Sequence, residues 1–352
     1  MIVRIVGNNL GGGARKHCFL LNRHLMSIGR EIKTFIPRAP IRDIFSDRES
    51  VEMDYVNTRN WLSVILFLLK RRGSIDYVHL HLRNVCIVFS PILILLKLPY
   101  VVTIHTTMPD VVGIKEVFLR KMYRYALTYA KENIFISEYI RSVILRDLDL
   151  NLINGVVVPN GSEEAAFIRN HNKSGRLSIC VVGELTERKG IKDLPYIMNG
   201  LELKIFREIV FNIYGDGPLR NVLTQYANNN DANRRVKVFL HGYVGEISDI
   251  YGENDINIIL SKNEAFGRVV TEAMAYGVPT IAQNFGAFPE IINSGVDGFL
   301  CDGLPEIIEK IIELEKDRDA LVSLGKAARI KYVKCFTDEI FLKNTMRILN
   351  DF

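Results

Sequence analysis

At 352 residues, with 48% hydrophobic and 24% charged residues, the chain exceeds one ordinary core and suits two domains. It holds none of the repeats or Pro/Gly/Ser-rich tracts of a solenoid or a disordered protein. The net charge of +5 conceals an asymmetry, with 22 Lys/Arg against 13 Asp/Glu in residues 1–160 and 23 against 27 in residues 161–352, so the first part is expected to face something anionic.

The N-terminus, MIVRIVGNN, runs straight into a strand pattern without the regions of a signal peptide, which predicts a cytoplasmic protein. Five scattered cysteines, with no C-x-x-C and no Cys/His cluster, fit small buried hydrophobes in a reducing compartment. Short β-branched runs then recur: IVRIVG, IKTFIP at 32–37, YVHLHL at 77–82, YVVTIH at 100–105, NIFIS at 133–137 and GVVVPNG at 155–161. Amphipathic stretches separate them, the first with Ala14, Cys18, Leu21, Leu25 and Ile28 on one helical face. The apolar run Val85 to Leu96 has about a dozen residues where a membrane span needs about 20, and reads as a buried core helix. After a polar stretch at 162–176 the alternation restarts with LSICVVG, IVFNIYG, VKVFLHG, INIIL and PTIAQ. The pattern predicts α/β architecture with two doubly wound parallel-sheet domains in tandem, whose ligands bind at the carboxyl ends of strands.

Four segments carry chemistry. GNNLGGGARKH, Gly7 to His17, joins the first strand to its helix; its glycines admit close backbone approach, and the helix N-terminus suits a phosphate. Arg15 and Lys16 oppose the helix dipole unless an anion docks there, although a flexible turn with two solvated cations is the alternative. His79, His81 and His105 lie at the ends of two strands. The first two fit packing or backbone hydrogen bonds, and His105, followed by Thr106 and Thr107, fits a substrate hydroxyl or phosphate. VGELTERKG brings Arg188 and Lys189 to the end of a strand, where they can bracket a diphosphate; alone they would be a solvated basic pair. In EAFGRVVTE, Glu264 precedes a helix start, the amides of Phe266, Gly267 and Arg268 can meet a phosphate, and Glu272 lies about one turn further in. A carboxylate at each end, one for ribose hydroxyls and one for a sugar hydroxyl, is a layout for a sugar nucleotide. The D-x-D pairs Asp147/Asp149 and Asp317/Asp319 end no strand and read as structural.

With these segments in place the chain resembles a retaining glycosyltransferase of family 4. Glu264 to Glu272 matches the E-x7-E motif, and EAMAYGVPTIAQNFGAFPEIINSGVDGFL, GGGAR, VVTIHTT, FISEYI, VVPNG, VGELTERKG, IYGDGP and HGYV follow in order over nearly the whole chain. The resemblance implies the GT-B fold, two Rossmann-like doubly wound domains facing each other across a cleft. The acceptor-side domain would be 1–161, completed by a C-terminal helix at about 337–352, and the nucleotide-sugar domain 162–336. It implies that Glu272 binds the donor ribose, that Glu264 faces the sugar, and that Lys189 neutralises the diphosphate. The backbone of Ala265, Phe266, Gly267, Arg268 and Val269 would hold the distal phosphate, with Tyr243 also on the donor side. Gly12, Gly13 and Arg15 would close from the opposite domain, and His105 would stand near the transferred sugar. Where the family commonly has Arg in G-R-L-x-x-x-K-G this chain has Glu184, so Arg188 or Arg15 would have to supply that charge.

The implied reaction moves a sugar from a nucleotide-diphosphate donor, UDP favoured, to a saccharide or lipid-linked acceptor in surface polysaccharide or glycolipid synthesis. The acceptor attacks from the leaving group's own face, and no metal or other cofactor is called for. Partners are then a sugar nucleotide and an acceptor, with no nucleic acid. WLSVILFLLKRR and IKEVFLRKMYRYALTYAK could rest on an anionic bilayer, making the protein cytoplasmic and peripheral, or could be helices covering the sheet. A sugar-nucleotide 2-epimerase of the same fold and an inactive sugar-nucleotide-binding subunit are the rival expectations.

Overall fold

The computed structural model describes residues 1–7, 12–36, 55–56, 60–109, 113–151, 154–169, 175–205, 207–228 and 234–350. Residues 8–11 of the first glycine turn, Pro37 of the second predicted strand and 170–174 of the polar stretch lie outside them. The chain divides into two compact units, Met1–Asn160 with Phe341–Phe352, and Gly161–Ile340.

In the first unit, β1 (Ile2–Val6), β2 (Ile32–Phe35), β3 (Tyr55–Val56), β4 (Tyr77–His81), β5 (Tyr100–Ile104), β6 (Glu132–Phe135) and β7 (Val156–Val157) form one sheet. Its order is β3-β2-β1-β4-β5-β6-β7, parallel throughout. β1, β4 and β5 are buried along their whole length. Burial on both faces explains why β1 and β5 read as mainly apolar runs rather than alternations, while β4, YVHLH, holds two buried histidines. The first helix spans Gly12–Ser27, shorter than the apolar periodicity suggests. Gly29, at φ +76°, reverses the chain, its amide donates to the Met26 carbonyl, and Ile28 is left exposed. The last helix, Asp338–Leu349, places Phe341, Met346 and Leu349 in one core cluster with Ile2, Leu21, Leu25, Tyr77 and Ile134.

One residue breaks the apolar run of β1. Arg4 is fully buried, donating from Nη1 to the Cys18 carbonyl at 3.0 Å and to Asn22 Oδ1, while Asn22 Nδ2 donates to Thr34 Oγ1 at 2.8 Å. A cation in a core is tolerable only when so paired.

In the second unit, β8 (Leu177–Val182), β9 (Ile209–Tyr214), β10 (Val236–Gly242), β11 (Ile256–Ile259), β12 (Thr280–Gln283) and β13 (Gly298–Cys301) form a parallel sheet in the order β10-β9-β8-β11-β12-β13. β13 was not among the strands expected from sequence. In both sheets the strand order therefore reverses beside the first strand, between β1 and β4 and between β8 and β11. Doubly wound sheets bind ligands at the carboxyl ends of those strands.

Candidate active site

The second unit's switch point is built from three loops. After β8 the chain turns through Gly183 and Glu184 into a short 3-10 turn, Glu187–Lys189, ended by Gly190 at φ +71°. A side chain on Gly190 would run into the backbone of Leu260, so this glycine lets the Lys189 loop lie directly on the end of β11. After β11 the chain reaches Glu264 and turns at Gly267, φ +85°, into the helix Arg268–Ala275. No side chain caps that helix, whose N-terminus suits an anion, and the Val270 amide donates to the Gly267 carbonyl at 2.9 Å. The loop after β12 holds Glu264 from its other side, the Ala287 amide donating to the Glu264 carbonyl at 3.1 Å.

Two ion pairs result. Lys189 Nζ donates to Glu264 Oε2 at 2.6 Å, each side chain 18% exposed, and Arg268 Nη2 donates to Glu272 Oε1 at 2.9 Å. The fold thus brings Lys189 to Glu264 before the uncapped helix start, and Arg268 meets Glu272 one turn on along the same helix. Phe266 is buried against Phe336 and offers only its backbone. The Val269 carbonyl accepts from Tyr251 Oη at 3.2 Å, and burial raises the Tyr251 phenol well above its ordinary range. Ala265 is half-buried beside Glu264. Arg188 is exposed, its carbonyl accepting from the Lys262 amide at 3.4 Å.

Beside this group, at the ends of β8, β9 and β10, lies a cavity of about 360 Å³ lined by Gly183, Glu184, Tyr214, Asp216, Tyr243 and Val244, among others. Its volume falls in the range of small-molecule sites. Tyr243 is 87% exposed at its rim. Tyr214 stacks on His241 with centroids 4.6 Å apart, and burial pushes its phenol up to about 12. Tyr214, Asp216 and Val244 were not named from sequence, although IYGDGP and HGYV end strands next to β8, where the switch-point rule places ligands. Glu184 lines the same cavity and is exposed.

The remaining expected residues lie in the first unit. Gly12 and Gly13 open its first helix, and Arg15 is half-buried within it. His105 follows β5 and is 7% exposed, with burial lowering its imidazole to about 4. His79 and His81 make side-chain rather than backbone hydrogen bonds, His79 Nε2 with Thr103 Oγ1 at 2.7 Å and His81 Nδ1 with His105 Nε2 at 3.1 Å. His17 joins them, its ring 5.2 Å from that of His105 and nearly perpendicular to it. Among the described residues no group of three His, Cys, Asp or Glu side chains could hold a metal ion. Asp317 caps a helix, accepting from the Ala320 amide at 2.8 Å, and Asp149 pairs with Arg124.

Two parallel sheets of this order, with an uncapped helix start beside the Lys189–Glu264 pair, define a tandem doubly wound α/β protein with an anion-suited switch point in its second unit. The family models agree: "Glycosyltransferase Family 4" matches residues 11–164 and "Glycosyl transferases group 1" matches residues 162–331. The chain belongs to the glycosyltransferases of the family 4 type, with the GT-B fold. It is 25% identical to the N-acetyl-alpha-D-glucosaminyl L-malate synthase of Bacillus anthracis over 76% of this chain and 73% of that one. It is 24% identical to the UDP-Gal:alpha-D-GlcNAc-diphosphoundecaprenol alpha-1,3-galactosyltransferase of Escherichia coli over 78% of this chain and 74% of that one. Among solved structures, Anabaena HepE in complex with UDP superposes with a TM-score of 0.80 over 100% of both chains at 15% identity.

Proposed function

We propose that the protein transfers a sugar, with retention of configuration, from a nucleotide-diphosphate sugar to a saccharide or lipid-linked acceptor in surface polysaccharide or glycolipid synthesis, with UDP as the favoured nucleotide. The observation that carries this reading is the Lys189–Glu264 pair beside the uncapped helix start at the β8/β11 switch point. A diphosphate docking there would draw the Lys189 ammonium and meet the amides of Gly267 and Arg268, freeing Glu264 to accept from a sugar hydroxyl. Glu272 would take the ribose hydroxyls, and the 360 Å³ cavity with its tyrosine rings would take the base.

In the reaction the bond between the anomeric carbon and the diphosphate oxygen breaks while the acceptor oxygen bonds that carbon on the same face. The acceptor's proton passes to the departing phosphate. Charge grows on the leaving oxygens, where a preorganised cation or amide is worth about 3 kcal/mol. The reading assigns that neutralisation to protein groups, so chelation of divalent ions is expected to leave turnover unchanged. The relatives named above support the donor and acceptor classes, one being named for a UDP-galactose donor and a diphosphoundecaprenol-linked acceptor.

The same reading makes the protein peripheral on the cytoplasmic face of a membrane. On the helix Ile114–Thr128, the only acid, Glu116, is turned inward to Arg83 and Arg120, at 2.7 and 3.4 Å. Ile114, Val117 and Phe118 face outward beside exposed Lys115 and Lys121, an apolar and cationic surface suited to anionic lipid.

A panel of nucleotide sugars tests the reading. The cognate donor at 100 times its dissociation constant should add about 2.7 kcal/mol of stability. With acceptor present, free nucleotide and a product of retained anomeric configuration should appear. A rearranged sugar without acceptor would mean an epimerase, and stabilisation without turnover across acceptors would mean a binding subunit.

A further inference from the structure

The first unit's switch point holds a hydrogen bond between two imidazoles. His81 ends β4 and His105 follows the neighbouring β5. Their rings lie 19° from parallel, and His81 Nδ1 is 3.1 Å from His105 Nε2. A single proton occupies that bond, and which ring owns it decides what His105 presents elsewhere.

The surroundings of His81 decide the ownership. Its side chain is fully buried, and its other nitrogen, Nε2, has no partner among the described residues. Were His105 the donor, neutral His81 would carry its one proton on Nε2, as a buried N–H without an acceptor. With His81 donating from Nδ1, what is left buried and unmatched is a lone pair, and orphaned N–H groups are the rarer and costlier case. Both rings are neutral at physiological pH, because burial lowers each imidazole and His79, His105, Arg4 and His17 act on His81 in the same direction.

We propose that His81 is a positioning residue that donates to His105 Nε2 and fixes His105 as the Nδ1–H tautomer, so that the first unit offers a neutral hydrogen-bond donor to a sugar hydroxyl oxygen. The identity of the acceptor as a sugar rests on the glycosyl-transfer reading; the tautomer does not. His17 restrains the same ring from the first helix. It stands at 90° to His105 with centroids 5.2 Å apart, is anchored through Nδ1 to Asn160 Oδ1 at 3.2 Å, and is backed by Phe341 at 4.3 Å. His105 is thereby held in both orientation and tautomer. A fixed N–H leaves the bound hydroxyl its own proton for a second contact, which sets the polarity of the hydrogen-bond chain around the sugar.

The test is a long-range imidazole 15N spectrum of the full chain with labelled histidine at pH 7.5. The His105 signals are assigned by their loss in His105→Asn, and those of His81 by their loss in His81→Phe. Wild type is expected to show both rings protonated at Nδ1 and bare at Nε2; a His105 signal protonated at Nε2 overturns the proposal. His81→Phe should let His105 redistribute between tautomers and lower kcat/KM about tenfold, the usual worth of one neutral hydrogen bond. His81→Asn, whose amide N–H can stand where Nδ1–H stood, should restore both. A fixed His105 tautomer and full activity in folded His81→Phe would also overturn it. If His81→Phe does not fold, the wild-type spectrum decides alone. If the tautomer is found and no sugar nucleotide is turned over, the transferase reading fails and the positioning role stands.

Discussion

Gly267→Ala, set beside Gly295→Ala, separates two reasons why a position requires glycine. Both residues sit at positive φ, +85° and +80°, where an L side chain costs about 1–2 kcal/mol. At Gly295 a Cβ would meet nothing within 4 Å, whereas at Gly267 it would lie 2.6 Å from Phe288 Cε1 and 3.1 Å from Cδ1. Phe288 is fully buried and its ring has no solvent to swing into, so overpacking adds about 1–3 kcal/mol. The expected losses are about 1–2 kcal/mol for Gly295→Ala and about 2–5 kcal/mol for Gly267→Ala, read from urea unfolding followed by far-UV circular dichroism. Because Gly267 also aims the first amides of the helix Arg268–Ala275, its variant should raise the donor KM, and Gly295→Ala should not. Equal destabilisation of the two variants would refute the packing argument, and an unchanged donor KM in folded Gly267→Ala would refute the placement of a phosphate at that turn.

Lys189→Met should lower kcat about 10²- to 10³-fold in single-turnover assays, the usual effect of deleting one group that stabilises a developing oxyanion; a loss under about threefold would remove Lys189 from that role. Glu184→Arg exchanges an anion for a cation in the wall of the cavity proposed for the donor, and a unit charge beside a phosphate is worth about 1 kcal/mol even at the dielectric of water. The two-unit change should raise kcat/KM by up to about thirtyfold, and a decrease would show Glu184 to be adapted to this chain's own substrate. Burial holds the imidazoles of His79 and His81 well below the ordinary value of 6.5 and that of His105 at about 4, with Arg4 and His17 adding to the effect on His79 and His81. The unfolded chain therefore binds more protons below pH 6.5, so the stability these groups confer is whole above that pH and is lost as pH falls toward 4. The slope should approach about 1.4 kcal/mol per pH unit for each histidine and shrink by one share in His79→Leu, as denaturation midpoints across that range would report.

The sheets were legible because their central strands are buried on both faces and so read as short, mainly apolar runs rich in β-branched residues, even where Arg4 or the histidines of YVHLH interrupt them. β13 was not, because Gly298–Cys301 is four residues long, begins with glycine and has neither alternation nor a β-branched residue to mark it. The acids of EAFGRVVTE were legible as a motif at a strand end, but their pairing was not. Glu264 meets a lysine 75 residues away, a relation that only the order of β8 and β11 creates. The same holds for His17. In the sequence it closes a glycine-rich turn beside two cations, and nothing local announces that the helix carries it to His81, His105 and Phe341. Arg4 was invisible for a related reason: IVRIV gives no sign that Cys18 and Asn22, more than a dozen residues on, supply acceptors for a buried cation.

The two units share one strand order and fill their switch points with opposite chemistry. At β8 and β11 the groups are charged and paired, Lys189 with Glu264 and Arg268 with Glu272, and each pair keeps part of its surface open. Such pairs can exchange partners for a dianionic ligand at little cost, because the incoming phosphate replaces a carboxylate of the same sign and the carboxylate gains a hydroxyl donor. At β4 and β5 the groups are imidazoles kept neutral by burial, a setting that disfavours a cation through desolvation and offers an anion no charge. A neutral, fixed donor suits a sugar hydroxyl, whose recognition depends on hydrogen-bond direction rather than field strength. Of the positive charge in the first part of the chain, the buried Arg4 acts on this cluster. Part of that charge falls on outward helix faces such as Lys115 and Lys121, the surface that the proposed peripheral role would use.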